Sequence, residues 1–280
     1  MRNIRKPDFP KLMAFDLDGT LLRSDGTVSA YTCEILTQAA ALGIHVVIAS
    51  GRPLCALPCQ VTTLPCIRYA ITSNGSSIFQ LTGQRRIAGT DMDPGLVLSL
   101  AEIFKDLPWP CECFTEGRAY TSQAYYDDPA AFGVTVATGN YMRATRRPVA
   151  DMSAFILAHK DRIEGLDLVV TDPSARQALA ERFRQIPDLY ITSSTRFYLE
   201  FASGDVSKAG ALARLLYMLD LNASDMAAFG DALNDLEMLR FAQTGIAVSG
   251  GDPRLIAAAD DICPGNDEDG PARYIAQNYL

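Results

Sequence analysis

The sequence predicts an α/β fold built on a parallel sheet, and three observations carry that prediction. Short, continuous apolar runs at Leu12–Phe15, Ile44–Ala49 and Met226–Phe229 have the length of strands covered on both faces. Segments with helical spacing follow them, notably Ala30–Leu42 and Leu236–Phe241. Each run also ends in polar residues: Asp16 and Asp18, then Ser50-Gly51-Arg52, then Asp231, Asn234 and Asp235. Ligands of open α/β sheets bind outside the carboxyl ends of the strands, so these clusters are the candidate site.

The first run sets the chemistry. Asp16 and Asp18 lie two residues apart at a strand end, where two carboxylates repel unless a cation compensates them. A hard divalent ion such as Mg2+, which takes oxygen ligands, suits such a pair. Gly19 and Thr20 break the strand, and Leu21–Ser29 reads as a small hairpin turning at Asp25-Gly26. Ser29 caps the first helix and Gly43 ends it. After the second strand, Pro53 suits a first helical position. The spacing therefore predicts a helix N-terminus that offers Ser50 and the free N–H groups of Gly51 and Arg52 to an anion. Tyr69–Thr72 is a third strand, followed by Ser73-Asn74-Gly75. By its residues this stretch reads as a plain turn.

From Gly83 the organisation changes. Helices over Pro94–Lys105, Val149–His159 and Pro173–Arg184 alternate with a hairpin over Glu112–Ser122 turning at Glu116-Gly117 and with a strand over Leu166–Thr171. Two more strands span Leu189–Phe201 around Ser193–Arg196. Residues 83–202 thus read as an α/β insert, and 1–82 with 203–280 as a discontinuous core. Arg143, Arg146 and Arg147 read as a basic cluster in a loop of the insert, near Tyr125 and Tyr126. The chain returns to the core at Lys208, at the start of the helix Ala209–Leu219. A cation is unfavourable beside a helix N-terminus, which suggests a use for it such as holding an anion's oxygen. The polar and acidic group Asp231, Asn234, Asp235 then supplies the other half of a cation site. A strand over Gly245–Val248, the pair Asp260-Asp261 and the run Asn266-Asp267-Glu268-Asp269-Gly270 lead to a last helix.

Composition narrows the function classes. The chain has 280 residues, 48% apolar and 21% charged, as in globular proteins, and a net charge of −8 that argues against a nucleic-acid partner. The N-terminal MRNIRKPDFPK lacks the apolar stretch of a secretory signal, and no apolar run reaches the roughly 18 residues of a membrane span. Seven cysteines without a CxxC pair, and only His45 and His159, do not make a zinc set. The cysteines read as buried reduced thiols, which fits a cytoplasmic protein.

Four motifs in this order, DLDGT from Asp16, Ser50 after the second strand, Lys208 at a helix start and GDALND from Gly230, resemble those of the haloacid dehalogenase (HAD) superfamily. Asn74-Gly75 after the third strand is similar to the Cof-type phosphatases within it. The resemblance spans nearly the whole chain. It implies a Rossmann-like core with a type IIB cap inserted at 83–202, and a Mg2+-dependent phosphatase acting on a small phosphorylated metabolite. It implies that Asp16 is the nucleophile and Asp18 the general acid/base. Asp16, the Asp18 backbone carbonyl and Asp231 would hold the metal, and Asp235 would orient Lys208 or a water on the metal. Ser50, Gly51, Arg52, Asn74, Lys208 and Asn234 would meet the phosphate. Two departures from the family pattern are Ala209 after Lys208 and Gly250 or Gly251 where an Asn is frequent. A phosphomutase using the same aspartyl-phosphate, a phosphate-binding signalling module and a non-catalytic member are the alternatives. The substrate among sugar phosphates, nucleotides and cofactor phosphates, and the oligomeric state, are not legible.

Overall fold

The computed structural model describes residues 9–193 and 197–280. The strands, in chain order, are β1 (Leu12–Phe15), β2 (His45–Ala49), β3 (Ile67–Thr72), β4 (Ser77–Gln80), β5 (Arg85–Gly89), β6 (Cys111–Thr115), β7 (Arg118–Ser122), β8 (Arg146–Val149), β9 (Ile163–Val169), β10 (Leu189–Thr192), β11 (Tyr198–Ser203), β12 (Met226–Gly230), β13 (Thr244–Val248) and β14 (Asp261–Cys263). The helices are α1 (Ala30–Ala41), α2 (Cys59–Thr62), α3 (Pro94–Lys105), α4 (Gln123–Asp127), α5 (Val136–Thr145), α6 (Met152–His159), α7 (Pro173–Phe183), α8 (Lys208–Met218), α9 (Leu236–Phe241), α10 (Pro253–Ala258) and α11 (Gly270–Asn278).

The chain divides into two compact units. Of the described residues, one comprises 9–52, 57–87 and 207–280, and the other 53–56, 88–193 and 197–206. In the first, strands run in the order β14-β13-β12-β1-β2-β3-β4-β5. Pairing is parallel from β14 to β3 and turns antiparallel at β4. The apolar composition of β1 and β12 follows from this position: Leu12, Met13, Ala14 and Phe15 are fully buried, and Phe15 stacks on Phe229 of β12 at 4.8 Å. The chain leaves β1 towards β2 on one side and returns as β12 on the other. This is the reversal that opens a crevice at the strand ends of an α/β sheet.

In the second unit the strand order is β10-β11-β9-β6-β7-β8. One face packs on α3, α6 and α7 through Leu100, Ile156, Phe183 and Phe201, among others. The expected turn at Glu116-Gly117 joins β6 to β7, with both residues at positive φ.

Several expectations are corrected. Ser50-Gly51-Arg52-Pro53 does not open an α-helix. Pro53 leads only into a 3₁₀ turn, Leu54–Ala56, and Pro58 stops it before the four-residue α2. A second proline five residues after the first removes the N–H a continuing helix would need, so no helix dipole faces Ser50. Leu21–Ser29 forms no strand ladder. It is a tight turn in which the Arg23 N–H donates to the Thr27 carbonyl, with one isolated bridge between Asp18 and Leu22. The arginine cluster is not a loop: Arg143 lies in α5, while Arg146 and Arg147 begin β8. Arg146 is buried, paired with Glu112 at 2.8 Å. The helix read from Val149 begins at Met152, where the Asp151 carboxylate caps it. All seven thiols are free, and Cys66, Cys111, Cys113 and Cys263 are buried, but Cys55 and Cys59 are exposed and Cys33 half-buried. Part of the N-terminal reading, residues 1–8, and part of the expected turn, residues 194–196, lie outside the described residues. No helix among the described residues is long and apolar enough to cross a membrane.

Candidate active site

Four strand ends and one helix start of the first unit place the predicted residues. Asp16 follows β1, Ser50 follows β2, Asn74 follows β3, Asp231 follows β12, and Lys208 opens α8. Asp16, Asp231 and Asp235 each offer a carboxylate oxygen, all within 4.8 Å of one another. Lys208 is 1% exposed, and its Nζ donates to Asp16 Oδ1 at 2.6 Å and to Asp235 Oδ1 at 2.7 Å. Burial alone would lower the Lys208 pKa, but Asp16 and Asp235 overcome it and hold the ammonium above its ordinary value. Burial pushes the Asp16 carboxyl well above the carboxylate range, reinforced by Asp235 and Asp231 and opposed by Lys208. Asp231 is raised too, again chiefly by burial. One ammonium thus faces three clustered carboxyl groups.

The two oxygens of Asp235 are both engaged. Oδ1 takes Lys208, and Oδ2 accepts the backbone N–H groups of Asp231 and Ala232 at 3.1 Å each. Asp235 therefore fixes the Lys208 ammonium and the loop that carries Asp231. Asp231 Oδ1 accepts the Thr20 hydroxyl at 2.8 Å, a contact the sequence reading missed. A hydroxyl two residues after Asp18, in a loop returning to a site rich in carboxylates, was the available signal. Gly19 is required beside it: at φ +84° a Cβ would stand 2.4 Å from Asp231 Oδ2.

Asp18 is separate from this cluster. Its side chain is 57% exposed and forms a bidentate pair with Arg52, Nη2 at 2.6 Å and Nε at 2.8 Å. Ser50 is buried, and its Oγ accepts the Arg52 N–H at 3.1 Å. Asn74, with φ +55°, donates its N–H to the Ser50 carbonyl, and its Oδ1 accepts from Asn234 Nδ2 at 3.2 Å. Ser50, Gly51, Arg52, Asn74 and Asn234 are therefore one connected group beside the acidic one. The loop after β13 reaches the site through backbone, the Asp252 N–H donating to the Asp231 carbonyl at 2.7 Å, so Gly251 needs no asparagine side chain for that contact.

This arrangement has clear relatives. A family model of haloacid dehalogenase-like hydrolases matches residues 13–275. A 5-amino-6-(5-phospho-D-ribitylamino)uracil phosphatase, YcsE of Bacillus subtilis, is 27% identical over 271 residues, covering 95% of this chain and 94% of YcsE. Among solved structures, a haloacid dehalogenase-like hydrolase from Bacteroides thetaiotaomicron superposes with a TM-score of 0.83 at 24% identity, covering 96% of this chain and 99% of its own. The HAD subclass IIB sugar phosphatase BT4131 does so with a TM-score of 0.75 at 23% identity, covering 95% and 98%. The sheet that ends in Asp16, the returning strand that ends in Asp231 and a sequence match over most of its length lead to one conclusion: the chain belongs to the haloacid dehalogenase-like hydrolase family.

Proposed function

We propose that the protein is a Mg2+-dependent phosphatase that hydrolyses a small phosphomonoester through an aspartyl-phosphate on Asp16. The observation that carries this reading is the buried Lys208 ammonium held between Asp16 and Asp235, with Asp231 in reach. Such a set suits a phosphoryl group next to a cation and a carboxylate nucleophile. The donor set fits Mg2+: it is all oxygen, clustered and short of positive charge. Asp16, Asp231 and the backbone carbonyl of Asp18 would hold the ion, while the fully engaged Asp235 stays behind them. A bound Mg2+ supplies charge neutralisation, which keeps Asp16 ionised and relieves its repulsion of the phosphate.

Asp16 attacks phosphorus, and the bond to the leaving oxygen breaks as the aspartyl-phosphate forms. Asp18 protonates the leaving oxygen, then takes a proton from the water that cleaves the intermediate. Its pairing with Arg52 is partly exposed. Such pairs contribute about 0–1 kcal/mol, so Arg52 can turn to a phosphate oxygen at little cost. Lys208 and Ser50 hold oxygens on which charge spreads. The Asn74–Asn234 pair lines the phosphate side. Residues 88–206 act as the cap that selects the leaving group, among sugar phosphates, nucleotides and cofactor phosphates.

The test is phosphate release from a panel of phosphomonoesters with Mg2+. Asp16→Asn, which keeps the shape but cannot attack phosphorus, should lose about a thousandfold or more. EDTA should abolish release and added Mg2+ restore it. Near-normal turnover by Asp16→Asn would sink the nucleophile assignment, and indifference to chelation would remove the metal.

A further inference from the structure

The run Asn266–Asp269 has no part in the chemistry above, yet it grips the loop that carries Asp18. Asn266 Nδ2 donates to the Leu22 carbonyl at 2.8 Å. Asp269 takes Arg23 in a bidentate pair, Nε to Oδ1 at 3.1 Å and Nη2 to Oδ2 at 2.7 Å, and also accepts from the Thr32 hydroxyl. Asp267 accepts the Ser24 N–H at 2.8 Å and the Ser24 hydroxyl at 2.7 Å. Three consecutive loop residues are thus held by three residues more than 240 positions away in the sequence. Asp269 is buried and sits at φ +57°, a conformation that Asp and Asn tolerate better than most residues.

The grip is transmitted by backbone. The Leu22 N–H donates to the Leu17 carbonyl at 2.9 Å, and the Leu21 N–H to the Asp16 carbonyl at 3.3 Å. Asp18 bridges to Leu22. Fixing Leu22 therefore fixes the peptide units on both sides of Asp18. Leu17, Leu21 and Leu22 are buried, so packing holds the turn against the core, and the contacts from Asn266, Asp267 and Asp269 add the polar restraint on its backbone.

We infer that Asn266, Asp269 and Arg23 form a positioning clamp that sets the backbone of Asp16–Leu22. This rests on the phosphatase reading only for the chemistry being positioned. None of the three is a catalytic residue. The clamp acts through Leu22.

Amide hydrogen exchange and Mg2+ titration of the full chain test it without requiring turnover. In Asn266→Ala, amides of residues 17–22 should exchange about tenfold faster or more while those of β12 keep their protection, since one lost hydrogen bond opens the loop locally. The Mg2+ concentration giving half-maximal thermal stabilisation should rise several-fold in the same variant, because the Asp18 carbonyl is no longer held. With a generic phosphomonoester, kcat should fall about tenfold with KM nearly unchanged. Arg23→Gln, whose side chain is partly exposed, should act in the same direction and serves if Asn266→Ala does not fold, and Arg23→Lys should recover part of the loss. Unchanged exchange and unchanged Mg2+ dependence in a folded variant would overturn the clamp. If the native chain releases no phosphate from any ester, the phosphatase reading falls, while exchange and Mg2+ titration still decide the clamp.

Discussion

At the scale of single residues, the site is a matter of which oxygens are already committed. Asp235 spends both on Lys208 and backbone N–H groups, whereas Asp231 is anchored by one oxygen to Thr20. Thr20→Val keeps the shape and removes that anchor. We expect it to cost about 1 kcal/mol of stability and to raise the Mg2+ concentration for half-maximal activity about tenfold, read from melting and from a Mg2+ titration of phosphate release. The Arg23–Asp269 pair has a pH signature. Hydrogen bonding from Arg23, against some cost of burial, holds the Asp269 carboxyl below its ordinary value. A depressed carboxylate stabilises the fold at pH values above its unfolded pKa of roughly 3.9, and that stability is lost as pH falls through the folded value. Denaturant unfolding of native chain and Arg23→Gln should therefore differ by a constant amount from about pH 5 to 8, and the gap should shrink in acid. A gap that widened in acid would reverse the assigned sign.

At the scale of elements, most strands and most of the longer helices were legible because their periodicity is local: an apolar run for a buried parallel strand, a cap for α1 and a helical face for α1 and α3; the short strands β4, β5, β8 and β14 were not read. The helix expected after Pro53 was not formed, because proline spacing outweighed the favourable first position. The burial of Arg146 was also illegible, since its partner Glu112 lies on β6, a different strand. One packing contact ties two elements of the site together. Gly75 has φ +112°, and a Cβ there would stand 2.2 Å from the Ser207 carbonyl, immediately before α8. Gly75→Ala combines strain with a clash against backbone and should destabilise by about 2–4 kcal/mol. It should also displace Lys208 and lower kcat, measurable as a lower Tm together with slower phosphate release.

For the whole molecule, the division into residues 53–56 with 88–206 and the remainder gives a direct test of the cap proposal. Replacing 88–206 by a short Gly-Ser linker should leave Mg2+-dependent hydrolysis of a generic ester in place while flattening the preference among esters. An unchanged substrate profile would mean that the insert does not select the leaving group. Residues 53–56 show how far sequence order can mislead about such a division: they follow the second strand directly, yet pack with the insert through the Cys55 N–H on the Gly117 carbonyl. By itself the sequence determined the α/β class, the strand ends and the identity of Asp16, Asp18, Ser50, Lys208 and Asp231 as site candidates. The class and the strand ends depend on neighbours within a few positions, where apolar pattern and turn chemistry act, while the resemblance of four motifs in order singled out the residues. Only the tertiary structure decided that Lys208 is shared by Asp16 and Asp235, that Thr20 anchors Asp231, that Arg52 holds Asp18 and that the run near Asp269 grips the loop after Asp18. Each joins residues tens to hundreds of positions apart, and their meeting is set by sheet order and helix packing, which local pattern does not encode.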